Sequence, residues 1–163
     1  GDKKELVTPE DLPYIVSDVL KHGVTNDKVK LKSYVINLAH GLKPMAMLKI
    51  EINGQEFEES SSGDGQYDAF VRALRNVYKK TLKRKFPMLT NYVVSIPPGG
   101  RTDALVQTVI SWSFDNREFR TRGLDADQTE AAIKATIKML NMIEDEYELG
   151  KDLYEDEDNN LKY

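Results

Sequence analysis

Hydrophobic and polar positions along this chain form two successive runs of the same kind. Each alternates with period two and then switches to a helical period. In the first run, residues 29–38 alternate and then thicken into a strand. Residues 45–52 place Ala46, Leu48, Ile50 and Ile52 on one face of a second strand. Asn53-Gly54 is a hairpin signal, because both residue types tolerate positive φ. Residues 55–61 return as a third, more polar strand carrying Phe57. Tyr67, Phe70, Val71, Leu74, Val77, Tyr78 and Leu82 then make a helical stripe.

The second run starts near Leu89, where Tyr92, Val94 and Ile96 alternate before Pro97-Pro98-Gly99-Gly100 ends the strand. Ala104, Val106, Thr108, Ile110, Trp112 and Phe114 line one face of a long strand. Asp115-Asn116 makes the hairpin, and residues 118–122 carry Phe119. A helix from about Gln128 has Ile133, Ile137, Leu140, Ile143 and Tyr147 on its apolar face. Sliding residues 54–74 onto residues 116–136 needs no gap, an offset of 62 residues. It pairs Glu56 with Glu118, Phe57 with Phe119, Gln66 with Gln128, Ala69 with Ala131 and Ala73 with Ala135. Ahead of both runs, Thr8-Pro9-Glu10-Asp11 reads as a helix start, with Leu12, Ile15, Val16, Val19 and Leu20 following and Gly23 at the stop. The expected fold is α+β: duplicated β-β-β-α units related by pseudo-two-fold symmetry, preceded by one N-terminal helix. One sheet gives the helix faces too little cover, so a homodimer is expected to supply the rest.

Composition changes this picture little. The 163 residues are 40% hydrophobic and 31% charged, as in an ordinary globular protein. No apolar run reaches membrane-spanning length and no signal peptide is visible. The absence of cysteine excludes disulfides and thiolate chemistry and fits a cytoplasmic protein. The sequence begins at Gly1 rather than methionine, and an excised fragment is expected. Charge alters the reading at one end. Residues 144–163 hold nine acids and two lysines, which leaves residues 1–143 net basic; this end is expected to be a helix fraying into a solvated acidic tail, residues 148–163.

Candidate chemistry is sparse. His22 falls at a helix end and His40 in a loop, and neither has a nucleophile, a base or a metal-ligand spacing around it. No catalytic residue, metal site or cofactor is expected in this chain. The cluster Lys79, Lys80, Lys83, Arg84 and Lys85 sits at a helix C-terminus, where cations complement the dipole. Acidic Asp64 and Asp68 at the other end repel phosphate, so no nucleic-acid partner is expected. What remains is the pair of glycine- and aspartate-rich turns, Gly63-Asp64-Gly65 with Asp68, and Gly123 with Asp125 and Asp127. Helix N-terminal amides suit a carboxylate and nearby acids suit an ammonium group. Asp127 with Glu130 resembles a capping box, and Gly65 with Asp68 takes the same two places. Tyr67, Ala69, Leu124 and Ala131 offer an apolar lining. Two such turns in equivalent places suggest a site for a zwitterion; a purely structural turn remains the alternative. An Asp at Gly65 is expected to crowd the first turn.

The segments "GDGQYDAFVRAL" (63–74) and "YVVSIPPGGRTDALVQTVISWSFDNREFRTRGLDADQTEAAIKATIKMLN" (92–141), with the repeat, resemble the C-terminal regulatory domain of 2-isopropylmalate synthase. Citramalate synthases are the related family. The chain keeps Gly63, Asp64, Gly65, Asp68 and Ala69 of one motif and Gly123, Asp125 and Asp127 of the other. It departs at Gln66, where proline is usual, and at Tyr67, where a smaller aliphatic is usual. The resemblance implies residues 1–27 as a helix from a linker subdomain, 28–147 as a leucine-binding regulatory domain, and 148–163 as the tail. It implies a homodimer that binds leucine as feedback inhibitor near the interface, between the two units. The parent would condense acetyl-CoA with 2-oxoisovalerate in leucine biosynthesis, on a divalent metal in a barrel that this chain lacks, so the fragment itself would not be an enzyme. A citramalate synthase domain sensing isoleucine, or a dimerisation module without a ligand, are the other readings. The implied effector residues are Gly63, Asp64, Gly65, Asp68, Ala69, Tyr92, Gly123, Asp125, Asp127 and Ala131. Amides near Gly65 and Asp127 would hold the carboxylate, Asp64 or Asp68 the ammonium group, and Ala69, Tyr92 and Ala131 the side chain.

Overall fold

A computed structural model describes residues 27–97 and 105–161, with side chains described as far as Glu148. The helix expected over residues 9–22, His22 and Ala104 lie outside the described residues. Two three-stranded antiparallel sheets are present, each followed by a helix. The first contains β1 (Val29–Asn37), β2 (Met45–Ile52) and β3 (Gln55–Ser62) in that order, and α1 (Gln66–Asn76) follows. The second contains β4 (Met88–Ser95), β5 (Val106–Phe114) and β6 (Arg117–Asp125), and α2 (Gln128–Leu161) follows. The α+β class and the duplicated β-β-β-α order are as the sequence predicts.

The duplication holds at the level of strand register. Ile50 lies opposite Phe57 in the first sheet, and Trp112 lies opposite Phe119 in the second. Both hairpins turn through left-handed backbone, at Asn53 (φ 51°) and Gly54 (φ 82°), and at Asp115 (φ 49°) and Asn116 (φ 61°). Such turns match the right-handed twist of the flanking strands. Each first strand also carries a bulge, between Leu31 and Ser33 and between Leu89 and Asn91. The extra residue flips the alternation, so that Tyr34 and Tyr92 sit at matching half-buried positions.

By contacts, the described residues divide into Lys28–Arg84 with those from Ile137 onward, and those between Lys85 and Thr136. Within α2, the residues to Thr136 belong with the second sheet, and those from Ile137 belong with the first. Ile133, Leu140 and Ile143 of the predicted stripe are buried, with Ala131, Ala132, Ala135 and Met139 beside them, whereas Ile137 and Tyr147 are only partly covered. The helix runs on through residues 148–161 of the acidic end.

In the first unit, α1 lies across β2 and β3 and buries Phe70 and Leu74 against the inner strand residues Leu48 and Ile50, all at 2% exposure or less. Burying side chains of this size stabilises by about 1.5–3 kcal/mol each. The Phe70 ring also meets Tyr34 edge-on at 5.8 Å. The stripe through Leu82 is not one α-helix. A π turn, Val77–Thr81, replaces its last part, with Leu82 N–H donating to Val77 C=O at 3.0 Å. The wider turn lets neighbouring Val77 and Tyr78 both be fully buried. Lys83 then takes φ 55°, and Arg84 N–H closes on Tyr78 C=O at 2.9 Å.

In the second unit, Ile110, Trp112 and Phe114 on β5 are buried with Ala131, Ala132 and Ala135 of α2. Trp112 Nε1–H donates to Thr121 Oγ1 at 3.0 Å, and that hydroxyl donates to Ala135 C=O at 2.8 Å. The indole and the helix backbone are thereby joined through one buried threonine, which satisfies groups that would be costly to bury unpaired.

Candidate functional site

The first strand-to-helix turn is closed by its own residues. Asp64 N–H donates to Asp68 Oδ2 at 2.8 Å, while the N-cap Gly65 supplies no side-chain cap. Asp68 therefore reaches back past the N-cap to the residue before it, and not to the N-cap N–H as in a capping box. Arg72, one turn further along α1, lies 3.1 Å from Asp68 and 3.5 Å from Asp64, and Lys43 lies 3.6 Å from Asp64. The two acids stay open to solvent; Asp64 is 76% exposed at its side chain.

The second turn makes a fuller cap. Asp127 Oδ1 accepts Glu130 N–H at 2.9 Å, as the capping-box reading expected, and Asp125 Oδ1 accepts Asp127 N–H at 3.0 Å. Lys134 donates to Asp125 Oδ2 at 2.8 Å and to Leu124 C=O at 3.2 Å. Donation from the Asp127 amide first, and then from Lys134, holds the Asp125 carboxyl below its ordinary 3.8. Arg72 and Lys134 occupy equivalent places under the 62-residue offset, and each reaches back to the acids of its own turn. They are functional candidates that the sequence reading passed over, although the same offset that paired the turns also pairs these two bases.

Of the sequence-predicted site residues, Gly63, Asp64, Gly65, Asp68 and Ala69 come together at the start of α1. Gly123, Asp125, Asp127 and Ala131 come together where β6 meets α2, in the unit that also holds Tyr92 on β4. Ala69 and Ala131 are fully buried beneath their turns. The space-critical glycine of the first turn is Gly63, not Gly65. A Cβ at Gly63 would meet the Ala69 backbone, with Cα at 2.7 Å, whereas one at Gly65 meets nothing within 4 Å. Gly65 also has ordinary extended backbone, φ −136°, so the expected crowding by Asp there is corrected. In the second turn Gly123 lets β6 touch α2, since a Cβ would strike Ala131 C=O and come within 2.9 Å of Ala135 N. Leu124 alternates to the outer face of its sheet, away from Ala131, and so leaves the lining.

A second polar centre escaped the sequence reading entirely. Glu144, 1% exposed on α2, accepts Arg84 Nη1–H at 2.7 and 2.8 Å, Tyr78 O–H at 3.1 Å and Asn53 Nδ2–H at 2.9 Å. Burial first, and the Glu144 charge second, push the Tyr78 hydroxyl well above its ordinary 10.0. Arg84 also stacks on Tyr147 at 4.9 Å. Three residues earlier on the helix, Asn141 Oδ1 accepts Val29 N–H at 2.9 Å, and its Nδ2–H donates to Val29 C=O at 3.2 Å. Lys28 pairs with Asp145 at 3.0 Å and also with Glu148. These groups form a structural clamp between α2 and the first sheet, and every polar atom of the Glu144 carboxylate is engaged from within. Among the described residues, no group of three or more His, Asp or Glu side chains is arranged to hold a metal. No helix there is long and apolar enough to cross a membrane.

Comparison with known proteins gives these turns a family context. Residues 6–144 match the model described as the LeuA allosteric (dimerisation) domain. A protein of Archaeoglobus fulgidus that carries the name (R)-citramalate synthase CimA is 36% identical over 143 residues, which are 88% of this chain and 28% of that protein. The 2-isopropylmalate synthases of Aquifex aeolicus and Methanocaldococcus jannaschii are each 28% identical. They cover 86% and 88% of this chain and 26% and 27% of their own lengths. The chain thus spans about a quarter of the length of these curated relatives.

Proposed function

Because the chain belongs to the family of LeuA allosteric (dimerisation) domains, we propose that it is the regulatory part of a 2-isopropylmalate synthase and senses leucine as feedback inhibitor. The observation that carries this reading is the repeated turn, in which acids, helix-terminal amides and one base per helix gather at equivalent places: Asp64, Asp68 and Arg72; Asp125, Asp127 and Lys134. An amino acid brings an ammonium group that suits the acids and a carboxylate that suits the bases and amides. The amides of Asp64, Asp127 and Glu130 are held by the chain's own carboxylates. Effector binding therefore exchanges internal bonds for new ones. Tyr92 is half-buried and faces the same side of its sheet as Thr108 and Ile110, where it would meet an aliphatic side chain. Reaching Ala69 or Ala131 requires the turn to shift. Inhibition requires that kind of differential contact, since a ligand binding two states equally shifts neither.

A second reading is favoured by the higher identity to the protein named as a citramalate synthase: the same site would then sense isoleucine. Melting the chain with leucine, isoleucine and valine in turn tests both. A ligand at about 100 times its Kd stabilises by roughly 2.7 kcal/mol and raises Tm. A shift with leucine alone supports the first reading and a shift with isoleucine alone the second. No shift with any of the three leaves a dimerisation module without an effector.

A further inference from the structure

Thr108 on β5 is fully buried, and its Oγ1 is the one buried side-chain polar atom among the described residues that makes no hydrogen bond. The other buried threonines of this unit are engaged. Thr121 Oγ1 joins Trp112 to Ala135 C=O, and Thr136 Oγ1 donates to Ala132 C=O. A buried hydroxyl without a partner is destabilising, and the fold has no need of one here. Under the 62-residue offset its counterpart is Ala46, equally buried, which lies opposite Ser61 as Thr108 lies opposite Gly123. Valine would satisfy the strand's preference for a branched side chain without the hydroxyl. Position explains more. On one side Thr108 neighbours Gly123, which approaches Ala131 C=O too closely for any Cβ. On the other it neighbours Val94 of β4, which shares its helix-facing side yet is 38% exposed, with half-buried Tyr92 next along. The hydroxyl thus lies between the start of α2 and an open strip of the sheet.

We propose that Thr108 is a ligand-binding residue of the second turn, its hydroxyl donating to the carboxylate of a bound amino acid. This rests on reading the repeated turns as an amino-acid site. The first amides of a helix have no intrahelical acceptor, so the start of α2 already favours a carboxylate, and a hydroxyl donor beside it adds a charge-assisted bond. Asp125 and Asp127 at the same turn serve the ammonium group, and the open strip at Tyr92 and Val94 receives the aliphatic side chain. The first turn has Ala46 in this place and offers no such donor. The assignment is therefore to the second turn alone.

Thr108→Val and Thr108→Ser in the full 163-residue chain test this, by melting without ligand and by calorimetric titration with leucine and with isoleucine. Thr108→Val is expected to melt at the wild-type temperature or above, because it removes an unpaired hydroxyl and keeps the shape. Its Kd for whichever amino acid binds wild type should rise about 10-fold or more, the loss of a hydrogen bond to a charged group. Thr108→Ser, which keeps the hydroxyl, should bind within about threefold of wild type, well inside that loss. With ligand isotopically labelled at its carboxyl carbon and its nitrogen, the bound carboxyl resonance should differ between wild type and Thr108→Val. A difference confined to the nitrogen resonance gives the hydroxyl to the ammonium group and overturns the assignment. Equal affinity of Thr108→Val and wild type overturns the proposal. So does a Thr108→Val chain that melts several degrees lower, because the hydroxyl is then satisfied within the fold. A wild type that binds neither amino acid overturns the sensing reading together with this one, and is recognised before any variant is made.

Discussion

Arg84 Nη1 lies 2.7 and 2.8 Å from the two carboxylate oxygens of Glu144, a side chain only 1% exposed. Removing one partner of such a pair leaves an uncompensated buried charge, at a cost of about 3–5 kcal/mol. Arg84→Leu is therefore expected to lower stability by that amount in urea denaturation followed by circular dichroism. Arg84→Leu combined with Glu144→Leu should recover more than half of the loss. If the single variant loses less than about 1 kcal/mol, as exposed pairs do, the carboxylate is not sealed from water.

Tyr78 shares that carboxylate, and its raised pKa gives a sign that can be measured. The folded state favours the neutral phenol, so this contribution is complete below pH 10.0 and is lost as pH rises from there toward the folded-state value. Tyr78→Phe should cost about 1.5–3 kcal/mol at pH 7, the value of a hydrogen bond to a charged group. It should also lose less stability than wild type between pH 9 and pH 11 (roughly one unit either side of the free-tyrosine pKa). Parallel alkaline limbs for the two proteins would contradict this.

Much of this fold is legible in the residues. Period-two runs, Asn53-Gly54 and Asp115-Asn116 are local signals, and local signals fix strands and hairpins, so the 62-residue offset foretells the register of Phe57 and Phe119. The hand-over of α2 at Thr136–Ile137 is not local. It depends on Asn141 meeting the Val29 backbone, 112 residues away, and on Glu144 meeting Arg84, 60 residues away. A buried Glu in an acidic stretch carries no periodic mark. The π turn was also hidden, because Val77 and Tyr78 fit an α stripe nearly as well. At the candidate site the acids were legible from composition, but their counter-charges, Arg72 and Lys134, became visible only once the turns were folded.

The two kinds of glycine should behave oppositely. Gly123→Ala drives a methyl into the α2 backbone and is expected to cost at least about 1–3 kcal/mol, the range for overpacked sites. Gly65→Asp enters open space at an N-cap with extended backbone, and should leave stability level or raise it by a few tenths of a kcal/mol. Chemical denaturation of both variants, read by fluorescence of the sole tryptophan, Trp112, checks the ordering.

The cap at Asp127 has its own signature. Asp127→Ala removes the acceptor of Glu130 N–H and is expected to cost about 1 kcal/mol. Asp125 adds an acid dependence, since its lowered pKa stabilises above its ordinary 3.8 and that contribution is lost as pH falls through the folded-state value. Asp125→Asn should therefore flatten the decline in stability below pH 3.8. An unchanged acid limb would mean that Lys134 and the Asp127 amide do not hold this carboxylate in solution.

Amino-acid sensing by the repeated turns is tested most directly by isothermal titration of leucine into the wild-type chain and into Gly65→Asp, with isoleucine and valine alongside. Saturable heat with leucine is predicted for the wild type. In Gly65→Asp, which adds a carboxylate where the effector's own would sit, that heat should be abolished while the fold is retained. No saturable heat with any of the three amino acids, or leucine binding of equal strength in both proteins, would contradict it.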